Sequence, residues 1–198
     1  LDVMRGVHQS LYLTSYVENQ EPVKAALSSF LEAGCGFGGS CLPKDVTALV
    51  AQGADLGIQT PVLRAVLDVN RNQPEEMVRL VTKHIPDLRG VKTTILGLAF
   101  KPDTDDIRES PAFPIIRLLR SAGADITAYD PIARPGNHEG LAGVRLAQSL
   151  PDALKQAQVV VLVTRWQEFE RVADELATLG LEPQMIAEVL EPLEQDPS

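Results

Sequence analysis

The residues with the clearest chemical potential lie in one glycine-rich stretch, Gly34–Asp45. Glycines allow positive φ values and a close approach of the backbone to a ligand. Pro43 favours the first turn of a helix and so predicts that Cys41 lies at the helix start. There the unpaired N–H groups, the helix dipole and the ammonium of Lys44 would stabilise a thiolate, the nucleophilic form of cysteine. Asp45, four residues after Cys41, is near enough to share the site.

A simpler interpretation of Cys41 is a small buried apolar residue, as most cysteines outside disulfides are. The glycines, Pro43 and the charged neighbours favour a reactive thiol. Cys35 has no helix start after it and is interpreted as structural. These are the only two cysteines of the chain. Their spacing suits neither a zinc site nor a disulfide framework, so we expect two thiols in a reducing compartment, the cytoplasm.

A second polar segment, Phe100–Pro111, follows a predicted strand and precedes a predicted helix. Ligands of open α/β sheets bind at this carboxyl edge of the strands. Lys101 offers an ammonium donor, and Arg108 offers a planar guanidinium suited to phosphate. The alternative is a charged, solvated loop that ends in a helix cap.

The elements that must position these residues change character along the chain. Helical spacing of apolar residues predicts helices at 21–31, 45–56 and 61–85, and Pro74 predicts either a kink or a new helix start within the last of them. Beyond Gly90, predicted strands at 93–100, 126–129, 159–163 and 185–189 alternate with predicted helices at 110–123, 149–156 and 168–179. This alternation indicates βαβ units and a parallel sheet. We therefore predict a helical domain at 1–88, an α/β domain at 89–190 and a tail at 191–198.

Composition excludes several classes of partner. The net charge of −9 argues against nucleic acid and membrane surfaces, because phosphate-rich surfaces would repel the protein. No run of about 20 apolar residues is present, so no membrane-spanning helix is expected. A small anionic ligand remains compatible, since a few cations or a helix N-terminus can hold a phosphate.

The decapeptide at 36–45, Gly-Phe-Gly-Gly-Ser-Cys-Leu-Pro-Lys-Asp, resembles the active-site loop of the UDP-glucose and GDP-mannose dehydrogenases. The resemblance implies that Cys41 is the nucleophile of a two-step oxidation of a sugar alcohol to the acid, through a thiohemiacetal and a thioester, with NAD as hydride acceptor. Asp45 would help to activate water, and Lys44 would lie near the cofactor. Leu42, where the UDP-glucose branch commonly has Phe, slightly favours membership of the GDP-mannose branch.

The segment at 100–111 resembles the family's second signature. By that resemblance Phe100 and Lys101 contact the sugar nucleotide, and Arg108 reaches NAD. The chain segment that wraps the sugar nucleotide would comprise Glu32, Ala33, Gly34, Cys35, Gly36, Phe37 and Gly38. The run Tyr129-Asp130-Pro131 also resembles the family's. The resemblance covers about residues 28 to 170 and implies a helical middle domain that forms a homodimer, followed by a Rossmann-like domain that binds the nucleotide sugar.

The chain departs from the family pattern in three places. It contains no Gly-x-Gly-x-x-Gly turn after a strand, so we expect NAD to be bound mainly by a domain that this chain lacks, and the chain alone to be an inactive fragment. In the family, an arginine that contacts the substrate lies in the segment that aligns with residues 25–27, and a second arginine lies in the segment that aligns with residues 183–188. This chain has neither arginine. The sugar therefore stays open. The alternative function is a non-catalytic module that binds a nucleotide sugar or mediates dimerisation.

Overall fold

The structure is a computed structural model that describes residues 34–182 in full and the backbone of three short strands, 14–15, 23–24 and 185–187. The chain forms two compact units: Leu1–Gly34 together with Leu190–Ser198, and Cys35–Val189. In the first unit, strand β1 (Thr14–Ser15) pairs antiparallel with strand β2 (Val23–Lys24). The predicted tail at 191–198 lies outside the described residues.

The predicted helix at 21–31 is wrong at its amino-terminal end. Val23 pairs with Ser15, and Lys24 pairs with Thr14. Pairing with a distant segment here overrides the local spacing of apolar residues, because periodicity within a short window is a weak preference. The remainder of that predicted helix lies outside the described residues.

Two helices open the second unit. Helix α1 spans Leu42–Asp55 and helix α2 spans Pro61–His84, so both predicted helices are confirmed. Each begins with a proline in its first turn, where a missing N–H costs nothing. Gly57, with φ of 69°, reverses the chain after α1. Pro74 lies inside α2, which continues through it, so it does not start a new helix.

The rest of this unit is built on a sheet of five parallel strands. The strands are β3 (Lys92–Leu96), β4 (Asp125–Tyr129), β5 (Arg145–Leu146), β6 (Val159–Leu162) and β7 (Met185–Ala187). Their order across the sheet is β5-β4-β3-β6-β7. This is the strand order of the doubly wound nucleotide-binding folds. In those folds successive strands are added first on one side of the first strand and then, from the fourth strand on, on its other side. The switch point here lies between β3 and β6.

Three further helices complete the unit: α3 (Ala112–Ser121), α4 (Leu150–Leu154) and α5 (Val172–Thr178). Short 3₁₀ turns occupy Glu139–Leu141 and Gln167–Arg171. Helix α3 packs on α2 and on β4, whereas α4 packs on α5 and on β4. The predicted helical segment and parallel α/β sheet are therefore confirmed. The predicted domain boundary at residue 88 stays a prediction.

The core lies where the central strands meet these helices. Helices cover the sheet, so side chains on both faces of the central strands are buried: β6 is a continuous apolar run, and β3 is buried from its second residue to its last. Fully buried side chains include Ile95, Leu96, Ile115, Ile116, Leu119, Leu150, Leu154 and Val159. In contrast, several apolar side chains of α1, of the residue that follows it and of the first half of α2 are at least one-third exposed: Leu42, Leu49, Leu56, Val62, Val66 and Val69. No described helix has the length and apolar character needed to cross a bilayer.

Truncating one side chain of this core tests the assignment of its centre. Leu119 on α3 is 0% exposed, so Leu119→Ala should lower the free energy of unfolding by about 2–5 kcal/mol through lost burial and the cavity left behind. Arg117→Ala, on the exposed side of the same helix, should change it by less than about 0.5 kcal/mol. Denaturant titration followed by circular dichroism measures both values. Equal effects of the two substitutions would contradict this position for the core.

Candidate functional site

Cys41 lies at the position that the sequence predicts, immediately before the first residue of α1. The residue is exposed, not sealed in the core. Its carbonyl accepts the first helical hydrogen bond, from the N–H of Asp45 at 2.8 Å. The Sγ atom lies 3.8 Å from the hydroxyl of Ser40. A thiol at this place is open to a ligand and lies at a helix start, where the first N–H groups have no partner within the helix.

The two charged residues after Cys41 pair with each other. Lys44 Nζ lies 3.2 Å from a carboxylate oxygen of Asp45, and both side chains are more than 60% exposed. Such a pair contributes little to stability, because water screens it. The described ion pair of Lys44 is with Asp45.

An asparagine on α2 holds the glycine loop. The side-chain oxygen of Asn70 accepts a hydrogen bond from the N–H of Phe37 at 2.7 Å, and its amide nitrogen donates to the carbonyl of Phe37 at 3.0 Å. Gly36, with φ of 112°, leaves room for this amide, because a Cβ there would lie 2.8 Å from the asparagine oxygen. Sequence reasoning missed Asn70, since an asparagine within a helical pattern carries no signal of a distant contact.

The glycine loop packs directly on the second polar segment. A Cβ on Gly38 would lie 2.2 Å from the carbonyl oxygen of Glu109, and one on Gly39 would lie 2.7 Å from the ring of Phe100. The N–H of Gly39 donates to the carbonyl of Arg108 at 3.0 Å. The structure therefore brings together the two segments that the sequence predicts as one site. No residue larger than glycine fits at either contact.

Cys35 anchors the other end of the loop. It is 3% exposed, and its Sγ donates to the carbonyl of Leu162 at the end of β6, 3.8 Å away. This agrees with a structural thiol. Gly34 is exposed. Glu32 and Ala33 lie outside the described residues.

Arg108 is held by Asp106, two residues earlier. Its guanidinium makes a two-pronged contact with that carboxylate, the shortest distance being 2.7 Å. This hydrogen bond lowers the pKa of Asp106 to about 2 and raises the pKa of Arg108. The Arg108 side chain is nevertheless 69% exposed. One edge of the guanidinium is used by Asp106, and the other edge faces solvent.

Lys101 is exposed beside the ring of Phe100, with its Nζ 5.6 Å from the ring centroid. The carboxyl edge of the sheet thus carries a thiol, an ammonium and a guanidinium on adjoining segments. Within residues 34–182 no group of histidine, cysteine or acidic side chains could hold a metal ion. A cavity of about 260 Å³ lies at the ends of β4 and β5, and none of the predicted site residues lines it.

The two cysteines should differ sharply in reactivity. Because Cys41 is exposed at a helix start and Cys35 is 3% exposed, iodoacetamide at neutral pH should alkylate Cys41 at least about tenfold faster. Mass spectrometry of tryptic peptides after timed quenching gives both rates. Similar slow rates at both positions in the folded chain would argue against an accessible thiolate at Cys41.

The asparagine contact predicts a second effect on cysteine reactivity. Asn70→Ala removes both hydrogen bonds to Phe37, so the loop should loosen and the alkylation of Cys35 should accelerate. Asn72→Ala changes an exposed asparagine of the same helix and is the matched control. We expect the first variant to raise the Cys35 rate several-fold and the second to leave it unchanged. Unchanged rates in both variants would show that Asn70 does not hold the loop.

Known proteins show the same two parts in the same order. Residues 17–72 match the central domain of the UDP-glucose/GDP-mannose dehydrogenase family, and residues 94–192 match its UDP binding domain. UDP-glucose 6-dehydrogenase AglM of Haloferax volcanii is 45% identical over 148 residues, which are 75% of this chain and 34% of that protein. The UDP-glucose 6-dehydrogenase of Rhizobium meliloti is 40% identical over 143 residues, 72% of this chain and 33% of that protein.

Solved structures agree with this match. A UDP-glucose dehydrogenase from Pyrobaculum islandicum superposes with a TM-score of 0.70 and 33% identity over 85% of this chain and 36% of that one. GDP-mannose dehydrogenase from Pseudomonas aeruginosa superposes with a TM-score of 0.64 and 27% identity, over 87% of this chain and 38% of that one. The chain spans about a third of the length of the curated relatives it matches. With both domain matches and the packed glycine loop in evidence, the chain belongs to the UDP-glucose/GDP-mannose dehydrogenase family.

Proposed function

We propose that this chain supplies the nucleophilic thiol and nucleotide-sugar contacts of an NAD-dependent 6-dehydrogenase that oxidises UDP-glucose, or GDP-mannose, to the uronic acid. One observation carries the proposal. Cys41 is exposed at the start of α1, in a glycine loop that packs on the segment bearing Lys101 and Arg108. Several relatives are named UDP-glucose 6-dehydrogenases, which supports UDP-glucose as the first substrate to test.

Cys41 acts on the sugar aldehyde produced by the first oxidation. Its thiolate adds to the aldehyde carbon, forming a C–S bond while the carbonyl oxygen takes a proton. In the second oxidation the resulting thiohemiacetal would lose a hydride from carbon and its hydroxyl proton to water, and so become a thioester. Water then attacks the thioester carbon, the C–S bond breaks, and the thiolate is regenerated as the sugar acid leaves.

Asp45 is proposed to assist the attacking water. Its N–H is committed to the Cys41 carbonyl, whereas its carboxylate is exposed and paired only loosely with Lys44, at 3.2 Å. In this proposal the carboxylate, on the first helical turn after Cys41, accepts a proton from the water that attacks the thioester. Lys44 is proposed to lie close to the cofactor, on the same turn.

The nucleotide sugar is proposed to lie along the loop and the adjoining segment. Lys101 presents an exposed ammonium to a phosphate, and the Phe100 ring lies over Gly39. The backbone of residues 32–38 would wrap the ligand. The glycines there allow a close approach, and Asn70 fixes the course of the chain at Phe37.

Arg108 is proposed to contact NAD. Asp106 holds one edge of its guanidinium, which leaves N–H groups on the exposed side for a phosphate oxygen. NAD, when bound, would accept the hydride in each oxidation. The contact of Arg108 with a phosphate would orient the cofactor from this side of the site.

A homodimer in the cytoplasm is part of the same proposal. The exposed apolar side chains of α1 and α2, including Leu49 at 53% and Val62 at 73%, support coverage of these helices by another polypeptide surface. The net charge of −9 disfavours nucleic acid and membranes as partners. Sedimentation equilibrium of the full-length protein determines the oligomeric state.

Replacing the thiol in the full-length protein tests the reaction. Cys41→Ser should lower turnover of UDP-glucose, followed as NADH formation, by roughly three orders of magnitude or more, because the thioester route is lost. Cys35→Ser is the matched control and should retain most of the activity of the folded enzyme. No NADH with UDP-glucose, GDP-mannose or UDP-N-acetylmannosamine in the wild type would favour the non-catalytic binding module instead.

Ligand binding by the chain itself isolates the sugar-nucleotide contact. Calorimetry should detect UDP-glucose, and Lys101→Ala should weaken its affinity about ten- to a hundredfold through loss of a charged hydrogen bond to phosphate. Lys155→Ala removes an exposed lysine next to α4, away from both polar segments, and should leave the affinity unchanged. Equal affinities in the two variants would contradict a role for Lys101 in binding.

A further inference from the structure

A buried carboxylate collects five hydrogen bonds at the carboxyl edge of the sheet. Asp130 follows β4 and is 3% exposed. Its Oδ2 accepts bonds from the N–H groups of Leu98 at 2.7 Å and Ala99 at 3.0 Å, and from Nε1 of Trp166 at 3.2 Å. Its Oδ1 accepts two more, at 2.9 and 2.7 Å, from the backbone two and three residues further on. All five donors are uncharged, and both oxygens act only as acceptors.

The same turn is held from the opposite side, at the next peptide group. Thr164, which follows β6 and is 5% exposed, donates its hydroxyl to the carbonyl of Ala99 at 2.6 Å. Gly97, with φ of 96°, allows this contact, since a Cβ there would lie 2.5 Å from the Cβ of Thr164. The turn after β3 is thus fixed from the ends of both neighbouring strands. Phe100 and Lys101 come directly after it.

The four N–H groups of residues 97–100 are all bonded within the protein. The N–H of Gly97 donates to the carbonyl of Tyr129 at 2.9 Å, and the N–H of Phe100 donates to the carbonyl of Asp106 at 3.0 Å. The two N–H groups between them are taken by Asp130. In dinucleotide-binding sheets of this strand order, the N–H groups of the first strand-to-helix turn face the ligand phosphates. In this protein a carboxylate of the chain takes their place.

We propose that Asp130 is a built-in anion that replaces a ligand phosphate at this turn, and that with Thr164 it is a positioning residue for Phe100 and Lys101. The sheet then takes no dinucleotide through its first turn. It presents Phe100 and Lys101 in a fixed place, on the thiol-loop side of the switch point. Only the identity of the ligand in this inference rests on the proposed function, because the fixed turn can be measured without any ligand.

Removing the carboxylate should release this turn before it affects the rest of the sheet. In Asp130→Ala, Leu98 and Ala99 lose their acceptor, so we expect amide hydrogen exchange at residues 98–101 to be at least about tenfold faster. Exchange in β6 should stay at the wild-type rate. The dissociation constant for UDP-glucose should rise about tenfold, because Lys101 is no longer held in place.

Thr164 provides a gentler test if the alanine variant does not fold. Thr164→Val keeps the shape of the side chain and removes only the hydroxyl, whereas Thr164→Ser keeps the hydroxyl. We expect the valine variant to show several-fold faster exchange at residues 98–101 with weaker UDP-glucose binding. The serine variant should remain close to the wild type in both measurements.

The measurements separate this inference from the proposed function. If exchange at residues 98–101 is unchanged in a folded Asp130→Ala or Thr164→Val protein, the positioning role is refuted. Equal acceleration throughout the sheet would also refute it, since that is loss of global stability. If the turn is released as expected but the wild type binds no nucleotide sugar, the positioning role stands and the proposed function fails.

Discussion

The site depends on a close backbone contact between two segments that lie far apart in the sequence. Gly38 approaches the carbonyl of Glu109 so closely that a Cβ would come within 2.2 Å of the oxygen. Gly39 likewise meets the ring of Phe100. A Cβ atom is fixed by the backbone, so no side-chain rotation at either position would move it away from these contacts. Glycine at positions 38 and 39 therefore allows the thiol-bearing loop and the cationic segment to meet at one edge of the sheet.

The groups that hold the candidate site are distinct from those that are exposed at its surface. The side chains of Asn70 and Asp130 form hydrogen bonds with backbone groups of the loop and of the turn, respectively. Buried polar groups are costly unless they are paired, so these contacts both satisfy the backbone and fix its course. Cys41, Lys101 and Arg108 are exposed at the surface that results. Rigid support beneath exposed reactive groups is the arrangement expected of a preorganised site.

How much of this follows from the sequence depends on whether a feature is local. Pro43 after a cysteine correctly predicts the helix start, and apolar runs correctly predict four of the strands of the sheet. Strand β5 has two residues, too few for a pattern to show. Strand order and the contacts of Asn70 with Phe37 join residues distant in sequence, which periodicity cannot register. The prediction of a helix at Val23, where the structure has a strand, is wrong for the same reason.

The proline within α2 has a mechanical consequence for the loop. Pro74 has no N–H, so the carbonyl of Asn70, one turn earlier, cannot receive the usual helical hydrogen bond. Asn70 is also the residue whose amide grips Phe37, and a Cβ on Gly36 would lie 3.6 Å from its carbonyl oxygen. The gap in the helical ladder thus coincides with the anchor of the loop. A bend of α2 at Pro74 would therefore displace the loop as well, because Asn70 belongs to the helix and is bonded to Phe37.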